Sequence, residues 1–157
     1  MYPIAEITGT PYDQFFYTGF EDSDGTVGSS KTGLKSRPGG YSKSIYGLTT
    51  GTYVLSYWQK QIDGSWSFVP QDVSVSTNPY LLSIPTTVQL DELRFYPKSP
   101  ITQFSTFTYD PLIGMTSKMD ANNKIEYYEY DLNERLKLIR DNSKNIMKTF
   151  GYQYQYK

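Results

Sequence analysis

The chain has 157 residues with a net charge of −1, from 15 basic and 16 acidic side chains spread along its length. That balance excludes an electrostatic footprint for nucleic acid or an anionic membrane surface. With neither Cys nor His, tetrahedral zinc, thiol catalysis and a Ser-His-Asp relay are excluded within the chain, while a glycosidase-type carboxylate pair survives.

Aromatic residues make up 17% of the chain, with 16 Tyr, 8 Phe and 2 Trp. Tyr joins an apolar ring to a polar tip and suits half-exposed sheet faces, so the composition reads as all-β. No apolar run approaches the roughly 20 residues a membrane helix needs. The opening "MYPIAEITGTPYD" lacks the layout of a secretory signal, and both ends read as cuts through a longer polypeptide.

From Gln14 to Pro97, short β-branched and aromatic runs alternate with Gly, Pro, Ser and Asp clusters. The stretch "SSKTGLKSRPGGYSKS" reads as a long surface loop entering a strand near Tyr41 to Tyr46, with Lys31, Lys35, Arg37 and Lys43 on a solvated face. Strands are expected at about residues 52–62 and 65–76, joined at Asp63-Gly64 by a two-residue type I′ turn. Alternation then sends Tyr53, Leu55 and Tyr57 to one face, and Val54, Ser56 and Trp58 to the other. In "TVQLDELRFYP" the same rule groups Val88, Leu90, Glu92 and Arg94 against Gln89, Asp91, Leu93 and Phe95.

After Pro100 a repeat takes over. Tyr109-Asp110 returns as Tyr130-Asp131, Asp120 as Asp141 and Ile125 as Ile146, each 21 residues on. "LNERLKLIRD" carries a brief helical pattern, but its counterpart "PLIGMTSKMD" contains Pro and Gly, so strand is expected in both. The pattern Phe107-Thr108-Tyr109-Asp110, Gly114, Asp120 and Ile125, followed by Tyr128-Glu129-Tyr130-Asp131, Arg135, Asp141 and Ile146, resembles the YD or RHS repeat family. A third start, "FGYQY", has Gln153 where that pattern places Asp. Each unit is expected to be a hairpin running from its Tyr-Asp strand to a turn at "DANNK" or "DNSKN" and returning through Ile125 or Ile146. Its Asp would cap the strand's bend and its aromatics would pack against neighbouring units.

The first 100 residues resemble, on "FYTGFED", "TGLKS", "GTYVLSYWQK" and "LDELRFYP", jelly-roll β-sandwich modules of bacterial surface and carbohydrate-active proteins. That resemblance implies a structural calcium ion on Glu21 and Asp91, with Asp22 and Asp24 as further donors. An EF-hand reading of "DSDGTVGSS" fails, because Val27 stands where the sharp-turn Gly belongs and Gly33 where a bidentate Glu belongs.

Sugar stacking would use Trp66, Trp58, Tyr41 and Tyr57, with Gln59, Gln61 and Asp63 as polar partners; the bland alternative places those rings in the core. Asp91-Glu92 and Glu21-Asp22 are neighbours whose side chains diverge on a strand, so neither pair makes a catalytic dyad alone. The expectation is an all-β chain, a jelly-roll-like sandwich over residues 14–100 and a YD-repeat hairpin segment over 101–157. It would be a non-enzymatic, extracellular or cell-surface module that binds glycan, or a structural spacer whose partners are neighbouring repeats of the same polypeptide.

Overall fold

The computed structural model describes residues 2–85 and 87–153. Strand covers about 52% of the chain, and the described residues contain no α-helix, so the fold is all-β. Two compact units form, one from Ile7–Gln103 and one from the residues up to Glu6 together with those from Phe104 onward.

In the first unit a 3-10 turn, Tyr12–Gln14, precedes β2 (Phe16–Thr18), β3 (Thr26–Val27), β4 (Lys35–Ser36), β5 (Tyr41–Ile45), β6 (Gly51–Lys60), β7 (Trp66–Val75), β8 (Tyr80–Ile84) and β9 (Leu90–Pro97). A four-stranded antiparallel sheet runs β2-β9-β6-β7, and β5-β8 and β3-β4 form two-stranded sheets. The apolar core is shared between the large sheet, through Tyr53, Leu55, Tyr57, Leu93 and Phe95, and β5-β8, through Ile45, Leu82 and Ile84. Tyr53 and Tyr80 stack on Phe95 with centroids 4.9 and 5.4 Å away, each pair adding about 0.5–1.5 kcal/mol beyond burial.

Alternation on β6 is as expected: Tyr53, Leu55 and Tyr57 enter this core and Trp58 does not. On β9 it fails, because Leu90, Leu93 and Phe95 all reach the core. Glu92 takes a positive φ of 52°, and the β6–β9 register shifts between Ser56 and Trp58. The bulge adds one residue to β9 and so moves the residues before it to the opposite face.

The β6–β7 connection also differs from the type I′ expectation. Gln61 N–H donates to the Ser65 carbonyl (2.7 Å) and Gly64 N–H to the Gln61 carbonyl (3.0 Å). Gly64 has positive φ and Asp63 does not, which makes a three-residue loop with a glycine bulge.

β1 (Ala5–Thr8), β10 (Gln103–Asp110), β11 (Gly114–Met119), β12 (Ile125–Tyr130), β13 (Leu136–Arg140) and β14 (Ile146–Thr149), which but for Ile7, Thr8 and Gln103 belong to the second unit, form a six-stranded sheet in the order β1-β10-β11-β12-β13-β14. Phe104, Met119, Ile125, Tyr127 and Leu138 are buried on one face. The "LNERLKLIRD" segment is turn up to Arg135 and strand from Leu136 to Arg140, as its counterpart is turn and then strand from Gly114 to Met119.

The 21-residue period holds two strands and two turns. Asp110, Asp120, Asp131 and Asp141, spaced 10, 11 and 10 residues apart, each head a turn. A turn therefore lies at Tyr109-Asp110 itself, where the sequence placed a bend on the way to "DANNK". At Asp120, Asp131 and Asp141 the carboxylate Oδ1 accepts N–H groups two and four residues on, at 2.8–3.1 Å. The left-handed residue of each of these turns is Asn123, Glu134 or Lys144. Bulges recur with the period too, between Thr108 and Tyr109 and between Glu129 and Tyr130.

A tyrosine ties each unit to the previous one. Tyr130 Oη donates to the Met115 carbonyl (2.8 Å), and Tyr152 Oη donates to the Leu136 carbonyl (2.8 Å). Under the first ring lies Gly114, whose added Cβ would come within 3.2 Å of Tyr130 Oη; under the second lies Arg135, its guanidinium 4.5 Å from the ring centroid. Gly114 and Arg135, 21 residues apart, are thus the positions that Tyr130 and Tyr152 cover. Gly114 also has φ +138°, so Gly114→Ala is expected to cost about 1–2 kcal/mol. Chemical denaturation followed by tyrosine fluorescence will show it, and an unchanged midpoint would count against the clamp.

Candidate functional site

Three carboxylates gather around one loop of the first unit. Asp91 and Glu92, on β9, are 0% and 1% exposed. Asp91 Oδ2 accepts the N–H groups of Lys31 (2.7 Å) and Thr32 (3.0 Å), and Oδ1 accepts that of Glu92 (2.8 Å). Glu92 Oε1 accepts the hydroxyls of Tyr17 (3.0 Å) and Thr32 (2.8 Å). Glu21, half-buried, accepts the N–H of Leu34 on both oxygens (3.0 and 3.1 Å) and that of Lys35 on Oε1 (3.0 Å).

The Gly-rich loop, which in sequence looks free, is thus strapped to the sandwich from Lys31 to Lys35. Its cations are tied down as well: Lys35 Nζ donates to the Asp22 carbonyl and Arg37 Nη1 to the Asp24 carbonyl, both at 3.0 Å. Lys43 lies over the Phe16 ring.

Burial, with the Glu92 charge second, pushes the Asp91 carboxyl well above the usual carboxylate range, against the pull of the three N–H donors. Burial also raises Glu21, opposed by the Lys35 and Leu34 amides. Tyr17 is raised by burial and by the Glu92 carboxylate it contacts.

The structure thus brings the two residues assigned to calcium to one loop. All four of their carboxylate oxygens, however, already accept backbone N–H groups. Among the described residues no group of three His, Cys, Asp or Glu side chains is arranged to hold a metal ion. Asp24 Oδ2 accepts the Thr18 hydroxyl (3.0 Å) and its Oδ1 is buried without a hydrogen bond. Calcium takes six to eight oxygens, and here the Glu21 and Asp91 carboxylates are engaged by loop amides.

The aromatic candidates separate by burial. Tyr57 is in the core. Trp58 is 6% exposed, with Lys31 Nζ 4.1 Å from its ring centroid and Phe68 tilted against it at 5.3 Å. Tyr41 is half-buried between Phe16 (6.3 Å, stacked) and Phe20 (5.4 Å, edge-on). Trp66 keeps part of its surface in solvent opposite Lys60. Next to it Gln61 Nε2 donates to the Ser67 hydroxyl (2.5 Å) and the Ser65 hydroxyl to Asp63 Oδ1 (2.6 Å).

Sequence reasoning missed the more exposed tyrosines of this unit, Tyr12 (90%) and Tyr46 (71%). Both flank polar turn residues, and that signal is too common to single them out. No family model matches the chain, and neither does any curated protein or solved structure.

Proposed function

We propose that the chain is a non-catalytic module of a larger cell-surface or secreted YD-repeat protein, in which the sandwich binds glycan. The observation that carries this reading is Trp66: its ring is partly solvated near the tip of the β6–β7 hairpin, next to the turn whose Asp63 and Ser65 supply carboxylate and hydroxyl groups. A pyranose presents C–H groups to such a ring and hydroxyls to such a rim. The test is a glycan array with the intact chain, followed by titration of the best hit. Trp66→Ala should weaken binding about tenfold, the worth of one aromatic contact, without moving the unfolding midpoint. An array without signal would sink the reading.

A purely structural spacer is the second reading, favoured by the repeated tyrosine clamp from Tyr130 to Met115 and from Tyr152 to Leu136. It expects a folded chain that gives no array signal, with its stability residing in unit-to-unit contacts.

A further inference from the structure

The first unit has a second aromatic surface, at the opposite end of β6 from Trp66. β6 spans ten residues, or about 30 Å at roughly 3.3 Å per residue, with Thr49 just before its start and the Trp66 hairpin at its far end. At the Thr49 end a single buried side chain joins three segments. Gln14, 5% exposed, donates from Nε2 to the Gly47 carbonyl (3.0 Å). Its Oε1 accepts the Thr49 amide (2.8 Å), the Thr49 hydroxyl (3.0 Å) and the Tyr53 hydroxyl (2.8 Å). Gly47 in turn donates its N–H to Asn78 Oδ1 (3.0 Å). The 3-10 turn, the β5–β6 loop and the β7–β8 loop are therefore one hydrogen-bonded assembly.

On that assembly stand Tyr12 and Tyr46, 90% and 71% exposed. Tyr12 is braced edge-on by Phe15 at 5.9 Å. Asp13, Thr49, Thr50 and Asn78, exposed on the same segments, supply carboxylate, hydroxyl and amide groups.

We propose that Tyr12 and Tyr46 form a second glycan subsite, selective for neutral pyranoses and separate from Trp66; the proposal rests on the glycan-binding reading. Phenol rings suit the apolar face of a sugar, and the rim suits its hydroxyls. The Asp13 carboxylate beside Tyr12 disfavours an anionic sugar. Because Gln14 already fixes the loops, binding orders little backbone, which removes part of the usual cost of a loop site.

The test uses the intact chain and the strongest neutral oligosaccharide and polysaccharide from the array. Amide shifts in an NMR titration should fall in two groups, one around Tyr12, Tyr46 and Gly47 and one around Trp66. Tyr12→Ala with Tyr46→Ala should lower polysaccharide affinity about tenfold and leave the unfolding midpoint in place, since both rings are in solvent. Shifts confined to the Trp66 hairpin, or full affinity in the double variant, would overturn the loop subsite while leaving glycan binding intact. Absence of shifts with every glycan would bring down both.

Discussion

Asp91→Ala is expected to destabilise the sandwich by about 3 kcal/mol. Three N–H groups, of Lys31, Thr32 and Glu92, lose their acceptor, and each buried donor left unsatisfied costs about 1–3 kcal/mol, partly offset by removal of a desolvated charge. Both tryptophans, Trp58 and Trp66, lie in this unit on β6 and β7, so their fluorescence reports its unfolding directly. A urea midpoint lowered by about 1.5 M is the expected reading. A loss below about 1 kcal/mol would show that the loop holds without the strap.

The same site sets a pH dependence whose sign follows from the raised carboxyl. Asp91 binds its proton more tightly in the folded state, so its contribution is fully present below the ordinary carboxylate range near pH 4 and is lost as pH rises through the raised value. Asp91→Asn keeps an amide oxygen for the loop but cannot ionise. The stability gap between the native chain and Asp91→Asn should therefore be widest in acid and narrow toward pH 8; a gap that widened instead would reverse the assignment. Asp131 and Asp141 have depressed values, from Arg135 and Asn145 respectively, and slope the other way, but they are common to both proteins and cancel in the comparison. In the same series, a chelator should leave the melting temperature unchanged. A calcium-induced rise that Asp91→Ala abolished would restore the ion to Glu21 and Asp91.

Much of the first unit's long hairpin was legible because two aromatic and β-branched runs flank Asp63-Gly64 and pair without a register shift over ten residues. β9 was not, since one residue at positive φ, Glu92, reverses every facing before it, and no local signal in "LDELRFYP" announces a bulge. Repeat spacing correctly favoured strand over helix in "LNERLKLIRD", where Leu136–Arg140 are strand, yet it concealed that the first half of that segment is one of two Asp-headed turns in each period. For the candidate site, residue type pointed to rings but not to their burial. Trp58 and Tyr57 adjoin on one strand, and their fates depend on Lys31, Phe68 and the opposing sheet, partners far away in sequence. Gln14 drew no notice for the same reason: its partners lie 33 to 39 residues away.

Gly33→Ala should be the second large loss, about 2–3 kcal/mol, through two effects that a double-mutant cycle can separate. Gly33 sits at φ +57°, a conformation that costs an alanine about 1 kcal/mol. Its added Cβ would also fall 2.2 Å from Glu21 Oε1 and 2.5 Å from Cδ, inside van der Waals contact. Glu21 would have to swing away and release the amides of Leu34 and Lys35. In a Glu21→Ala background the obstructing carboxylate is already gone and those bonds are already lost, so Gly33→Ala should then cost only the conformational part. Coupling of at least 1 kcal/mol between the two positions is the expected outcome. Strict additivity would mean that Gly33 matters through backbone conformation alone, and that Glu21 does not hold the loop in the way its hydrogen bonds indicate.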